Sequence, residues 1–147
     1  MAGVLTVYDQ NILARKSAIV SKRKPYSDLD ITLELNSRKD ISPLEDIDAV
    51  KQSVRNLILT TFGERPFRPK LGSAVKGLLF EPADRISIAV LRKSINDVLV
   101  RNEPRIDNLT VQVKDESDEN RYQVDIGFRV ISLSEEVDIT VYLQRIR

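Results

Sequence analysis

Acid–base chemistry in this sequence would have to run on carboxylates, because its 147 residues include 22 acids but no histidine and no cysteine. That composition excludes imidazole general bases, thiolate nucleophiles, disulfides and zinc sites built from Cys or His. Glu64 and Glu81 are the conceivable pair for cleaving a sugar chain. Such a reaction needs two carboxyls facing across a cleft, one of them with a raised pKa. Sugar-binding clefts also present aromatic rings, whereas aromatics are 5% of this chain and tryptophan is absent. Tyr122 and Phe128 fall at core-facing strand positions, and a chain so poor in rings argues against a hydrolase. The five glycines never stand in G-x-x-x-x-G-K or G-x-G-x-x-G order, so no phosphate-cradling loop is encoded.

Two short stretches carry the chemistry of recognition. Arg65-Pro66-Phe67-Arg68-Pro69 sets forked cations beside a ring on a stiff backbone. Proline reduces the entropy lost on binding, phenylalanine fills a pocket, and arginine makes charge-assisted bonds. The same residues are equally compatible with an internal Ω-loop, with Phe67 tucked onto helices and the arginines paired to local acids. The second stretch is Glu103-Pro104-Arg105. Pro104 stops a helix and Asn102 helps the chain turn, which accounts for half of it. An isolated surface ion pair contributes only about 0–1 kcal/mol, so stability alone does not explain an acid and a base bracketing a proline. Held apart by the rigid ring, the two charges form a small two-signed plug; a solvated turn is the plain alternative.

These stretches need elements to hold them. In "DLDITLELN", Leu29, Ile31, Leu33 and Leu35 alternate with polar residues, the period of a half-buried strand or of an extended segment packed on a helix. "ISPLEDIDAVKQSVRNLILTTF" opens with a capping box, Ser42 and Glu45, with Pro43 at the first helical position. Ile47, Val50, Val54, Leu57 and Ile58 then define one apolar helix face. Gly63, Pro66, Pro69 and Gly72 make "GERPFRPKLGS" an ordered irregular loop, and a short apolar piece follows at residues 75–80. A second helix runs from about Asp84 to Val100, its rows marked by Ile86, Ala89, Val90, Lys93, Asp97 and Val100, with Ile95, Val98 and Leu99 widening the apolar side. Alternation then predicts three strands: Leu109, Val111 and Val113; Tyr122, Val124, Ile126, Phe128 and Val130; and Val137, Ile139, Val141 and Leu143. Short turns join them, so the expected fold class is α+β, an antiparallel meander covered on its apolar face by two amphipathic helices.

Charge and hydropathy bound the partners. Net charge is +1, from 23 bases and 22 acids, which argues against generic polyanion binding. Residues 1–25 form an expected arm, in which Arg15, Lys16, Lys22, Arg23 and Lys24 carry five positive charges with no acid between Asn11 and Pro25. That arm reads either as a peptide laid along a partner or as a frayed basic tail. Residues 26–147 form one expected domain. No apolar run approaches the ~20 residues of a membrane span, and the N-terminus has the reverse charge order of a secretory signal. The expectation is a whole chain made in a cytoplasm, with no cofactor, metal, membrane or nucleic acid.

Four motifs, "YSDLD" (Tyr26–Asp30), "GERPFRPKLGS" (Gly63–Ser73), "LLFEP" (Leu78–Pro82) and "NEPRIDNLTVQV" (Asn102–Val113), closely resemble, in order and spacing, those of the contractile-tail baseplate wedge family. Its members are also called sheath initiators, or baseplate assembly protein W-like, and type VI secretion baseplates carry a relative. The resemblance covers about Tyr26 to Leu143. It implies a domain similar to the sheath-polymerising domain of tail sheath proteins, placed in the inner baseplate of a phage virion, in a six-fold assembly. Implied partners are other wedge proteins with their helical core bundle, the tail sheath protein, and tube or hub proteins. The family's E-P-R motif falls on Glu103, Pro104 and Arg105 and implies docking onto the core bundle. Its R-P-F-x-P-x-x-G loop falls on Arg65, Pro66, Phe67, Pro69 and Gly72, and reads more as fold-defining than as docking. Sheath subunits are linked by arms that pair with neighbouring sheets, which makes Val137, Ile139, Val141 and Leu143 the leading candidate edge. The alternatives are a subunit of a type VI secretion-like injection machine, or a peptidoglycan-degrading lysozyme, a label often attached to this group.

Overall fold

The computed structural model describes residues 26–145; the basic arm expected at residues 1–25 lies outside them. The described chain runs β1 (Ser27–Leu29), β2 (Pro43–Glu45), α1 (Ile47–Leu59), α2 (Val75–Leu78), α3 (Arg85–Asn102), β3 (Ile106–Glu116), a 3-10 turn (Ser117–Glu119), β4 (Arg121–Val130) and β5 (Glu135–Gln144). β3, β4 and β5 form an antiparallel meander in that order, and β1 and β2 pair as a separate two-stranded ribbon. The architecture is α+β, as the periodicities predict.

The core lies between one sheet face and the helices. Tyr122, Val124, Ile126, Phe128 and Val130 of β4 are buried, as their strict alternation requires, and they meet Val137, Val141 and Leu143 of β5 and Val111 of β3. α1 contributes Val50, Val54, Leu57 and Ile58. α3 contributes Leu91, Ile95, Val98 and Leu99. The expected α3 rows are corrected here: Ile86, Val90 and Val100 are exposed. Apolar residues surround this helix, so the sequence permits two faces; the one with large residues four apart, Leu91, Ile95 and Leu99, packs.

Two further expectations fail near the start of the domain. Ser42, Pro43 and Glu45 do not cap α1. Pro43 to Glu45 is β2, paired with β1 (Leu29 opposite Pro43, Ser27 opposite Glu45), and Asp46 is the N-cap residue with φ 53° and no side-chain cap bond. Tertiary pairing has overridden a local helix signal, and the reversal into α1 is made at one sparsely populated backbone conformation. Nor do Leu29, Ile31, Leu33 and Leu35 make a strand. Only Leu29 is in one, all four are 60–67% exposed, and Leu33 sits at φ 54°. The chain instead turns back at Asn36, whose side-chain oxygen accepts from the backbone N–H groups of Arg38 and Asp40. Among the described residues the segment pairs with three-residue β2 and, through one isolated bridge, Leu35 with Ile41, too little ladder to extend the strand.

A charged corner beside a braced loop

Glu103 sits where α3 gives way to β3. Asp84 caps the start of α3 by accepting from Ser87 N–H (2.6 Å), and the helix ends where the Glu103 N–H donates to Leu99 O (2.9 Å). Pro104 can donate nothing onward, so the chain leaves as strand. The carboxylate of Glu103 turns inward and is only 3% exposed. Arg105 grips it with both arms of its fork, Nε to Oε1 and Nη2 to Oε2, each at 2.6 Å, and Ser53 Oγ of α1 donates to Oε2, also at 2.6 Å. Burial pushes the Glu103 pKa up, but the bonds from Arg105 and Ser53 and the Arg105 charge outweigh it, and the net shift is downward. Arg105 is correspondingly raised, chiefly by the hydrogen bond to Glu103.

The picture of two charges held apart by proline is therefore replaced. The acid and the base close on each other behind Pro104, and what faces outward is the exposed Pro104 ring and the half-buried guanidinium of Arg105. The corner is tied on every side. Arg105 stacks over Tyr26 (5.2 Å to the ring centroid), its carbonyl accepts from Ile131 N–H (3.0 Å), and Asn102 Nδ2 donates to Val98 O (2.9 Å). In front lies an open groove of about 580 Å³ between the Asp28–Ile31 segment and the corner, with Gln52 and Ser53 in its lining. Gln52 fastens the groove's far wall, donating to Leu29 O (2.7 Å) and accepting from Ile31 N–H (3.1 Å).

Ser53 and Gln52 carry this site and were not singled out in the sequence. Ser53 had a signal: it stands three residues after Val50 and four before Leu57, a hydroxyl on the edge of the apolar face of α1.

The loop of residues 61–73 reaches the same groove through Arg65 and Leu71. Its ends are joined by a parallel bridge between Thr61 and Ser73, and Ser73 N–H donates to Thr60 O (2.8 Å). Buried Ser73 also donates its hydroxyl to Ile58 O (2.7 Å). Gly63 N–H donates to Pro69 O across the loop (2.9 Å), and the Glu64 carboxylate accepts from Thr61 N–H (2.8 Å). Glu64 thus braces its own turn, and Glu81 is exposed beyond α2. The Ω-loop expectation is half right. The loop is internally braced, but Phe67 is 98% exposed, not tucked onto the helices, and the side chains of Arg65 and Arg68 form no ion pair with an acid among the described residues.

The strand residues named as a candidate edge lie apart from corner and loop. Val137, Val141 and Leu143 are buried and Ile139 is half-buried, so their side chains serve the core. The open part of β5 is its backbone, which among the described residues is hydrogen-bonded to β4 on one side only. On the solvent face, Asp125 accepts from Gln123, Lys114 and Thr140, which holds its pKa down at about 2. No group of three or more Asp and Glu among the described residues could hold a metal ion, and no described helix is long and apolar enough to cross a membrane.

A small sheet with an edge unpaired among the described residues, and a surface corner fixed from behind, is the build of a scaffold subunit. Comparison with known proteins agrees. Residues 45–134 match the family described as Baseplate wedge protein gp25. The curated Baseplate wedge protein gp25 of Enterobacteria phage T4 is 31% identical over 115 residues, 78% of this chain and 87% of that protein. A crystal structure of a putative tail lysozyme from Geobacter sulfurreducens superposes with a TM-score of 0.62 at 25% identity, over 67% of this chain and 89% of the other. A subunit in the anti-feeding prophage baseplate shares the fold, with a TM-score of 0.53 at 18% identity, over 83% and 87% of the two chains. The chain belongs to the baseplate wedge protein gp25 family, the structural wedge proteins of contractile-tail machines.

Proposed function

We propose that this chain docks in the baseplate wedge through its Glu103-Pro104-Arg105 corner and offers the free edge of β5 as the template for the first ring of tail sheath. The observation that carries the reading is the regularity of that edge. β5 keeps one unbroken register with β4 over ten residues, Glu135 opposite Val130 through to Gln144 opposite Arg121. The other edge is spoiled: β3 shifts register between Asp107 and Thr110, with Asn108 at φ 51°. A bulged edge twists away from a would-be partner, whereas a flat one accepts an added strand. At the corner, the Glu103–Arg105 pair fixes the Pro104 ring and the outer side of the guanidinium before any partner arrives, so little entropy remains to be lost on docking. Partners under this reading are a helical bundle of other wedge subunits at the corner and an extended arm of the sheath protein at β5, in a six-fold particle. Residues 1–25 would act as a basic arm along the same neighbours.

The test is sheath polymerisation on purified wedges. A proline in β5, at a position whose N–H points away from β4, removes one donor from the outer edge and none from the β4 ladder. It should lower sheath assembly roughly tenfold or more while the unfolding free energy of the isolated chain, from urea titration, stays within about 1 kcal/mol of wild type. Equal loss of fold and assembly would count against the template role. If the protein instead cleared peptidoglycan, and Glu64→Gln or Glu81→Gln abolished clearing, the structural reading would give way to a hydrolase.

A further inference from the structure

The loop of residues 61–73 is a stiff support for a ring that touches nothing. Three of the four phenylalanines, Phe62, Phe67 and Phe80, are exposed, and Phe67 is the extreme case at 98%. A loop braced by its own hydrogen bonds does not need an apolar side chain at its tip. The Phe67 ring is flanked in sequence by Arg65, Arg68 and Lys70, none of which forms an ion pair with an acid among the described residues. The loop's one acid, Glu64, is already occupied by Thr61 N–H. The tip is therefore an exposed aromatic with three cations beside it in sequence, none in an ion pair among the described residues, on a backbone held by the bridge at its base and by the bonds from Arg68 N–H to Arg65 O and from Leu71 N–H to Arg68 O.

We propose that this loop is a second docking element: Phe67 enters an apolar pocket on a neighbouring protein subunit whose rim carries carboxylates, and Arg65 and Arg68 pair with that rim. The inference rests on reading the chain as a baseplate subunit and adds a contact separate from the corner. Charge complementarity sets the rim, since three cations next to one ring in sequence, in no ion pair among the described residues, call for acids. Rigidity sets the class of partner. A ring carried on a braced backbone suits a shaped pocket, where one desolvated aromatic can dominate binding. Stable attachment to a lipid surface takes two anchoring signals, of which one ring with a few cations supplies little. Single-stranded nucleic acid is held by successive stacking rings in a basic groove, and a chain of net charge +1 with one projecting ring offers neither.

The experiment places photoreactive p-benzoylphenylalanine at position 67 of the full chain, co-expressed with wedge and sheath subunits, and irradiates the assembled particle. The expected result is a crosslink to one peptide of a different subunit, with Asp or Glu nearby. Binding of the purified chain to that subunit should then weaken roughly thirty-fold for Phe67→Ala, the loss of one aromatic anchor. Arg65→Glu/Arg68→Glu should weaken it further and flatten its salt dependence. Neither variant should move the urea midpoint, because all three side chains are exposed. The proposal is overturned by a crosslink to a second copy of this chain, by no crosslink, by a Phe67→Ala effect under roughly three-fold, or by Phe67-dependent binding to phosphatidylserine-containing vesicles or to DNA. Pro104→Ser/Arg105→Lys, assayed in parallel, reports on the corner alone. Assembly lost there but kept in Phe67→Ala would sink the loop and spare the corner.

Discussion

Replacing Glu103 with alanine should cost about 3 kcal/mol of folding stability, roughly 10 °C in melting temperature for a chain of this size. The carboxylate is buried, accepts three hydrogen bonds of 2.6 Å, and joins α1 to the α3–β3 corner. Removing it leaves a partly buried guanidinium and the Ser53 hydroxyl without their acceptor, and an abandoned partner costs more than a pair contributes. Glu103→Leu/Arg105→Met should lie closer to wild type than Glu103→Ala alone, because an apolar pair leaves no stranded charge. Acid should mimic the single substitution. The folded-state pKa of Glu103 lies below its ordinary value of 4.5, so at mildly acid pH the unfolded chain binds the proton more readily. The stabilisation is thus fully present above the ordinary value and is lost as pH falls through the folded one. Urea titrations from pH 7 downward should show a steeper decline for wild type than for Glu103→Gln. Parallel curves, or a Glu103→Ala loss under about 1 kcal/mol, would refute a structural role for the pair.

This result also changes how the corner must be tested. Were Glu103 and Arg105 surface charges, losing either would spare the monomer and break only assembly. With the acid buried and clamped, an alanine at either position disturbs the fold first. Pro104→Ser/Arg105→Lys is the cleaner probe, since it keeps a positive charge beside Glu103 while altering the exposed surface.

What was legible in the residues was whatever repeats. α1, β4 and β5 announce themselves through 3.6- and 2-residue periods because each has one wet face and one dry face. Pro104 marks the end of α3 because a proline there cannot continue the helix. The misreadings share a cause: each depended on a partner distant in sequence. Ser42-Pro43-x-Glu45 is a sound local cap signal, yet β1 claims Pro43 and Glu45 as strand partners. Leucines at 29, 33 and 35 alternate correctly, but no long strand lies beside them. Glu103 reads as a surface charge, in a plug or in a solvated turn, because nothing local shows that Ser53, fifty residues earlier, faces it. Burial of a charge is a property of the assembled site.

Gly72→Ala should be the other severe change, costing about 3 kcal/mol, and it separates the two roles of the Arg65–Gly72 loop. Gly72 sits at φ 121°, and a Cβ there would lie 2.6 Å from Thr60 O and 3.0 Å from Thr61 C. Both are backbone atoms that cannot swing aside. The loop's return strand must then back away from the end of α1, which breaks the Ser73 N–H bond to Thr60 O and pulls the buried Ser73 hydroxyl from Ile58 O. Gly63 provides the control. It also has positive φ, 82°, but a Cβ there meets nothing within 4 Å, so Gly63→Ala should cost only the backbone strain, about 1 kcal/mol. Urea denaturation of the two variants, with hydrogen exchange at Ser73 N–H, decides the matter. Equal losses would mean that the close approach at Gly72 does not hold the loop. If Gly72→Ala alone is severe, fold-defining and docking cease to be competing descriptions: the close approach of residue 72 to the end of α1 holds the backbone that presents the exposed ring at residue 67, and a ring on a loop that has lost its shape cannot serve as an anchor.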